Sequence, residues 1–112
     1  REKKVSSEKK KFYHTVCISL EGAVSFIQRY ADLATQSIES TKSPETKKHL
    51  QNINEICQKL AGKTPESFHE AVQSVWFLFV LLHLESNASS FSPGKMDQYL
   101  YSYFKKDIEN GL

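Results

Sequence analysis

Apolar residues recur at spacings of three and four through the first part of the chain. This period places them along one stripe of a long first helix, and the stripe is expected to be its one buried face. Gly22 lies inside this helix, either at a close crossing by a neighbouring element or as a plain weak spot. We expect the helix to fade through Ser37, Ser40 and Thr41, whose hydroxyls compete for backbone hydrogen bonds. The stripe consists of Phe12, Val16, Leu20, Ala23, Ile27, Tyr30, Ala34 and Ile38.

A second helix is predicted to open at Ser43-Pro44, because a hydroxyl can cap free amides and proline loses nothing at the first helical position. It ends at Ala61-Gly62, where glycine suits a left-handed terminal conformation. The first two helices should therefore form a hairpin. The apolar positions of the second helix are Leu50, Ile53, Cys57 and Leu60.

A third helix should start at Ser67, because Ser67 and Glu70 have the spacing of a capping box before an apolar run. The run from Val75 to Leu84 is apolar on all faces except at His83. It is too short to cross a bilayer, and helices apolar all round are usually buried on every side. A chain of 112 residues can hardly enclose this buried apolar third helix. Either the chain self-associates or a larger parent surrounds the helix.

The segment after Glu85 is a loop by composition, and Asp97 or Ser92 is a candidate cap for the helix that follows. That fourth helix is predicted from Lys95 to Glu109, with an aromatic face. No alternating strand pattern of useful length occurs, so the fold class is all-α, a bundle of about four helices. The aromatic face consists of Tyr99, Tyr103 and Phe104.

Composition narrows the functional classes only slightly. Apolar residues at 39% and charged residues at 25% are ordinary for a soluble protein. A net charge of +2 is too small to indicate a nucleic-acid or membrane partner. The chain begins at Arg1 with no methionine and no secretory signal, and its two cysteines have no C-x-x-C spacing. We expect a segment excised from a longer protein, in a reduced, cytoplasmic setting.

Local chemistry alone predicts no enzyme and no metal site. The four histidines show no metal-ligand spacing, and His83 is expected to be satisfied by a carbonyl or carboxylate. Cys17 and Cys57 fall in mid-helix among apolar neighbours, so we expect small core residues rather than nucleophiles. The glycines are too scattered to form a phosphate-binding loop.

Several phrases of the chain, taken together and in order, carry a family resemblance. One is F-x-E-A-x-Q-x-x-W-F, from Phe68 to Phe77, and the most specific is E-S-N-A-S-S-F-S-P-G-K-M-D-Q-Y-L-Y, from Glu85 to Tyr101. Weaker ones are A-V-S-F-I-Q-R-Y-A-D-L-A, from Ala23 to Ala34, and N-E-I-C, from Asn54 to Cys57. Between about Phe12 and Gly111 the chain resembles glycyl radical enzymes of the pyruvate formate-lyase, glycerol dehydratase and choline trimethylamine-lyase group. Residues 1–112 are thus expected to be a helical segment of a pyruvate formate-lyase-like domain.

The resemblance implies a parent folded around a barrel, in which a glycine radical generates a cysteine thiyl that attacks a small substrate. The parent would break a C–C, C–O or C–N bond, and the loop wording favours the branch that cleaves small diols or choline-type alcohols. Its glycyl radical would be installed by an activase that uses S-adenosylmethionine and an iron-sulfur cluster. A cytoplasmic, anaerobic homodimer is expected. The expected partners of the segment are the remainder of the parent and the activase.

The catalytic loops of the family are not found in this sequence. No glycine stands in an R-V-x-G-Y-like context and neither cysteine has G-C-x-E surroundings. The resemblance instead makes the serine-rich loop a wall of the substrate cavity, with Ser90 as the first candidate for substrate binding and Ser92 as the second. Their hydroxyls would discriminate between substrates in a dry pocket. The alternative is that Ser89, Ser90 and Ser92 are turn residues that cap the next helix.

Three positions depart from the family pattern. Ala88 replaces a glycine, which would strain a backbone with positive φ. Lys95 replaces an arginine, with loss of planar bidentate pairing, and Ser102 replaces a proline. Gln73 and Trp76 are expected to pack and bridge to the barrel.

Two rival interpretations remain open. A free-standing helical module would bind a protein partner through the face around Trp76 and Phe79. A degenerate remnant of the enzyme would have lost activity.

Overall fold

The computed structural model describes residues 6–86 and 90–112. They form four helices: α1 (Ser7–Ser40), α2 (Pro44–Leu60), α3 (Phe68–Ser86) and α4 (Met96–Glu109). No strand occurs in either of these ranges. The predicted all-α class with four helices is therefore confirmed.

Helices α1 and α2 form the predicted hairpin, and a polar bond fastens it. The amide Nδ2 of Asn54 donates to the carbonyl oxygen of Ala31 and to Oγ1 of Thr35, both at 2.7 Å. Beside this bond, Ala31 and Cys57 are buried together with Phe77 of α3. The core of the chain is thus small and lies where α1, α2 and α3 meet.

The first half of α1 has no partner among the described residues, because α2 is too short to reach it. At 1.5 Å per residue, the 34 residues of α1 span about 51 Å and the 17 residues of α2 about 25 Å. Phe12 is 64% exposed and Leu20 60% exposed, so the predicted buried stripe is wrong for this half. Cys17 is exposed for the same reason, whereas Cys57 is buried as predicted.

Helix α2 starts and ends where predicted, and only the conformation predicted for Gly62 is wrong. Oγ of Ser43 accepts a hydrogen bond from the backbone N–H of Thr46 at 3.3 Å, and Pro44 is the first helical residue. At the other end, Gly62 does not adopt the predicted left-handed conformation; positive φ values belong to Gly94 and Gly111. The carbonyl of Lys59 instead accepts from the N–H groups of Gly62 and of residue 63 in a turn.

The predicted capping box at the start of α3 is confirmed. The N–H of Glu70 donates to Oγ of Ser67 at 3.2 Å, and the N–H of Ser67 donates to Oε2 of Glu70 at 3.3 Å. Glu70 also accepts from the N–H of Glu66 at 2.7 Å and from Nζ of Lys59 at 2.9 Å. One carboxylate therefore caps α3 and ties it to the last turn of α2.

The end of α4 reaches the same junction from the other side. Oδ2 of Asp107 accepts from the backbone N–H of Phe68 at 2.8 Å, which satisfies one free amide at the start of α3. Nζ of Lys106 donates to the carbonyl oxygen of Glu66 at 3.1 Å. Polar groups of α2, α3 and α4 thus meet at one point, which we call the polar junction (Lys59, Glu66, Glu70, Lys106 and Asp107).

Hydrogen bonds and neighbouring charges favour the ionised forms of Lys59, Glu66 and Glu70. Burial alone would raise the pKa of Glu70, but hydrogen bonds from the Glu66 N–H, the Lys59 ammonium and the Ser67 N–H together lower it. The hydrogen bond from Lys59 also lowers the pKa of Glu66. In return, hydrogen bonds to Glu66 and Glu70 raise the pKa of Lys59.

The third helix is only partly covered by the described residues of this chain. Ala71 and Phe77 are buried, but Trp76 and Leu78 are each 58% exposed and Leu84 is 67% exposed. The expectation that 112 residues cannot enclose this helix is thereby confirmed. Within the part of the chain that the structure describes, no helix combines the length and apolar character needed to cross a membrane.

The dimensions of the chain show the same incomplete enclosure. Its accessible surface is 9208 Å², whereas a compact protein of 12.9 kDa exposes about 6,300 Å². Its radius of gyration is 17.7 Å, against about 13 Å for a compact domain of this length. The chain therefore exposes far more surface than a self-contained domain of its size.

Candidate functional site

The predicted serine loop leads from α3 to α4, and the structure describes it from Ser90 onwards. Ser90 is exposed. Oγ of Ser92 accepts from the N–H of Gly94 at 3.3 Å, and Gly94 has a φ of 71°, which glycine adopts without strain. The positions of Ala88 and Ser89 lie outside the described residues.

The predicted caps of α4 are wrong. Its N-cap residue is Lys95, which makes no side-chain capping bond, and Asp97 lies in the first turn as an acidic residue. Ser92 forms its bond within the turn instead. The interpretation of Ser92 as a turn residue is supported, but not its role as a helix cap.

Aromatic side chains hold the start of this loop against α3. Trp76 and Phe79 stack with ring centroids 6.3 Å apart, and His83 follows at 4.4 Å from Phe79. Phe91 returns to this column, with its ring 5.0 Å from His83 and 6.5 Å from Phe79 in edge contacts. Edge contacts are favourable between aromatic rings. Phe91 therefore attaches the loop to α3 through its contacts with His83 and Phe79.

The orientation of His83 follows from one hydrogen bond. Nδ1 of His83 lies 2.8 Å from the carbonyl oxygen of Phe79. Because a carbonyl only accepts, Nδ1 must carry the proton. The prediction that a carbonyl satisfies this histidine is confirmed.

A second hydrogen bond holds the far side of the loop. The hydroxyl of Tyr99 in α4 donates to the carbonyl oxygen of Pro93 at 2.9 Å. The segment from Phe91 to Pro93 is thus attached to α3 through a ring and to α4 through a hydroxyl.

An open apolar groove of about 310 Å³ runs beside this segment. Its walls come from α3, from the loop, including Ser92, and from Tyr99 of α4. A neighbouring groove of about 210 Å³ reaches Trp76 and Met96. The first groove is lined by Val75, Leu78, Phe79, Leu82, Phe91, Ser92, Pro93 and Tyr99.

The other chemically capable side chains lie apart from this loop. Burial raises the pKa of the Cys57 thiol, which makes that thiol a poorer nucleophile. Cys17 lies on the exposed half of α1. Across residues 6–86 and 90–112, no three His, Cys, Asp or Glu side chains are grouped in a way that could hold a metal ion.

Sequence reasoning missed the residues that hold the loop in place. Phe91 was treated only as part of a loop, and the bond from Tyr99 to Pro93 was not expected. The available signal was the spacing of Phe79 and His83, four residues apart on one helical face, with a further aromatic residue in the loop.

The fold defines a class: an all-helical chain whose apolar third helix is incompletely covered by its own residues. The chain belongs to the pyruvate formate lyase-like family, whose characteristic sequence it matches over residues 2–112.

Relatives with assigned activities are similar over nearly the whole chain. The chain is 41% identical to (2S)-3-sulfopropanediol dehydratase of Klebsiella oxytoca over 103 residues, which are 92% of this chain and 12% of that protein. It is 33% identical to trans-4-hydroxy-L-proline dehydratase of Clostridioides difficile over 105 residues, or 93% of this chain and 13% of that protein.

Solved structures agree with this assignment. The glycerol-bound B12-independent glycerol dehydratase from Clostridium butyricum matches with a TM-score of 0.85 and 36% identity, over 93% of this chain and 14% of that one. A glycyl radical enzyme from Archaeoglobus fulgidus matches with a TM-score of 0.75 and 43% identity, over 81% of this chain and 12% of that one.

The chain thus spans about one eighth of the length of these relatives. The prediction that it corresponds to a segment of a larger glycyl radical enzyme is confirmed. The rival interpretation as a free-standing interaction module gains no support from these similarities.

Proposed function

We propose that this segment forms one wall of the substrate cavity in a glycyl radical dehydratase or lyase. In this proposal Ser90 and Ser92 offer hydroxyls to a small hydroxylated substrate, and the parent breaks a C–O, C–C or C–N bond of that substrate. The segment itself contributes binding and orientation, and the radical chemistry belongs to other parts of the parent. The observation that carries the proposal is the attachment of the loop to α3 and α4 on both sides of Ser92.

Two features support this role. Ser90 is exposed here, so its hydroxyl is available to a ligand. The relatives named above include a sulfopropanediol dehydratase and a glycerol dehydratase with bound glycerol. A diol or related alcohol is therefore the substrate class that we propose, in preference to the transferase reaction of pyruvate formate-lyase itself.

The remaining properties of the parent are part of the same proposal. It would carry a glycyl radical installed by an activase that uses S-adenosylmethionine and an iron-sulfur cluster. Because carbon-centred radicals combine rapidly with oxygen, the parent would work anaerobically, and we place it in the cytoplasm as a homodimer. The remainder of the parent would cover the exposed face of α3.

The test uses the complete parent enzyme after activation. Electron paramagnetic resonance should detect the glycyl radical, and a panel of small diols should identify the substrate. Ser90→Ala should then raise KM for that substrate about tenfold, since one hydrogen bond contributes about 1.4 kcal/mol, which is a factor of ten. The radical yield should not change.

Ser86→Ala is the matched control. Its hydroxyl donates to the carbonyl of Leu82 within α3 at 2.8 Å, so its loss should leave KM unchanged. An unchanged KM in both Ser90→Ala and Ser92→Ala would contradict the proposed role of the loop. Absence of any radical signal after activation would contradict the proposed class of parent.

A further inference from the structure

We infer that His83 and Phe91 form a clasp that positions Ser90 and Ser92, so that His83 acts on the substrate only through the loop. This inference rests on the proposed function of the two serines and adds two positioning residues to it. The similarities do not assign a role to either residue.

The first step is the rigidity of His83. Its ring is held by the hydrogen bond from Nδ1 to the carbonyl of Phe79 at 2.8 Å and by packing on the Phe79 ring at 4.4 Å. Both contacts lie within α3, because residues four apart, such as Phe79 and His83, are neighbours on a helix surface. The imidazole therefore presents a fixed face to the loop.

The second step is the contact that receives Phe91. The Phe91 ring meets the imidazole at 5.0 Å with an angle of 72° between the ring planes. Ser90 and Ser92 are the chain neighbours of Phe91, and consecutive Cα atoms are about 3.8 Å apart. A ring fixed at Phe91 thus restricts where both serine hydroxyls can lie.

The third step is the closure on the other side. The Tyr99 hydroxyl holds the carbonyl of Pro93 at 2.9 Å, and the Ser92 hydroxyl accepts from the N–H of Gly94 at 3.3 Å. These bonds restrain the loop after Ser92, whereas among the described residues the contact nearest to Ser90 is that of the Phe91 ring with His83. Loss of the clasp should therefore affect Ser90 more than Ser92.

Hydrogen exchange on the complete enzyme tests the clasp without relying on activity. His83→Ala and Phe91→Ala should each speed amide exchange in residues 90–95 at least fivefold. Phe91→Tyr keeps the ring and should exchange like the unaltered enzyme. Phe104→Ala is the control, because it removes another aromatic pair, with Phe68 at 5.7 Å, and should leave exchange in this loop unchanged.

Kinetics then separate positioning from general structure. His83→Ala should raise KM about tenfold with kcat within twofold. Phe91→Tyr, as a single variant that keeps the ring, should have the KM of the unaltered enzyme. In an enzyme that already carries Ser90→Ala and Ser92→Ala, His83→Ala should cause no further rise. Where Phe91→Ala does not fold, Phe91→Leu carries the same expectation.

The outcomes distinguish this inference from the proposed function. Unchanged exchange in residues 90–95 for both clasp variants would overturn the clasp. An equal rise in KM with and without the serines would show that His83 acts by another route and would also overturn it. If the serine variants alone leave KM unchanged, the proposed function fails, and the exchange result still decides whether the clasp exists.

Discussion

At the scale of single residues, Glu70 both caps the start of α3 and binds Lys59 of α2. Its side chain is 14% exposed, and its carboxylate accepts hydrogen bonds from two backbone amides and from Lys59. Charged hydrogen bonds of this kind are stronger than neutral ones. Glu70 therefore connects the end of α2 to the start of α3.

The stability of the chain should depend on pH through Glu70, Glu66 and Lys59. Since folding lowers the pKa of Glu70 and Glu66, the unfolded chain binds more protons in acid. The stabilisation is present above the ordinary carboxyl pKa and is lost as pH falls through the folded-state values. Folding raises the pKa of Lys59, so its contribution is lost only at strongly alkaline pH, above about 10.

Glu70→Gln should lower the free energy of unfolding at pH 7 by about 1 kcal/mol and should flatten its decline in acid. Urea unfolding followed by circular dichroism at pH 3 to 7 measures both effects. The control is Glu55→Gln, an exposed carboxylate on α2, which should leave the pH profile unchanged. Parallel acid profiles for Glu70→Gln and the unaltered chain would contradict the role given to Glu70.

At the scale of secondary-structure elements, α1 consists of two different halves. Its second half is bonded to α2 through Asn54, while residues 7–22 of its first half are all exposed. Most helical stability in proteins comes from packing of an apolar face. We therefore expect the first half to be the less stable part of the isolated chain.

Gly22 allows this expectation to be tested. A Cβ atom added at Gly22 would meet nothing within 4 Å, so Gly22→Ala should stabilise the first half of α1 by about 0.5 to 1 kcal/mol. Native-state hydrogen exchange of amides 12–26 measures the gain. Gly62→Ala, also with open space but outside the helices, should not slow exchange there. A loss of stability at Gly22→Ala would indicate a close crossing by another element in solution.

The four helices and the starts of α2 and α3 could be predicted because the signals are local. Ser43-Pro44 and the pair Ser67 and Glu70 act within three residues of the helix ends that they define. The contacts that join the helices have no such signal: Asp107 caps Phe68 from 39 positions away. Leu100 is buried in α4. It was not predicted as a core residue because the apolar face of α4 was assigned to the neighbouring aromatic residues.

The candidate loop could be predicted as a segment, but its geometry could not. The resemblance singled out Ser90 and Ser92 from the order of residues. The hydroxyl of Ser92 accepts from the N–H of Gly94 in the turn and not from an amide of α4. The N-cap residue of α4 is therefore Lys95, which makes no side-chain capping bond.

At the scale of the whole molecule, the excess surface is the feature that the sequence predicted best. The run from Val75 to Leu84 was too apolar for the area that 112 residues can cover, and Trp76 and Leu84 are indeed exposed. The similarity to enzymes about eight times as long explains why such a face persists. In the account proposed here, the rest of the parent covers it.

Radical footprinting of Trp76 tests this account most directly. Hydroxyl radicals oxidise accessible side chains, and mass spectrometry of the peptide that contains Trp76 gives the rate in both the 112-residue chain and the complete parent. We predict oxidation at least tenfold slower in the parent, where the indole is enclosed. Equal rates in the two proteins would contradict the claim that α3 is built to be covered by the remainder of a glycyl radical enzyme.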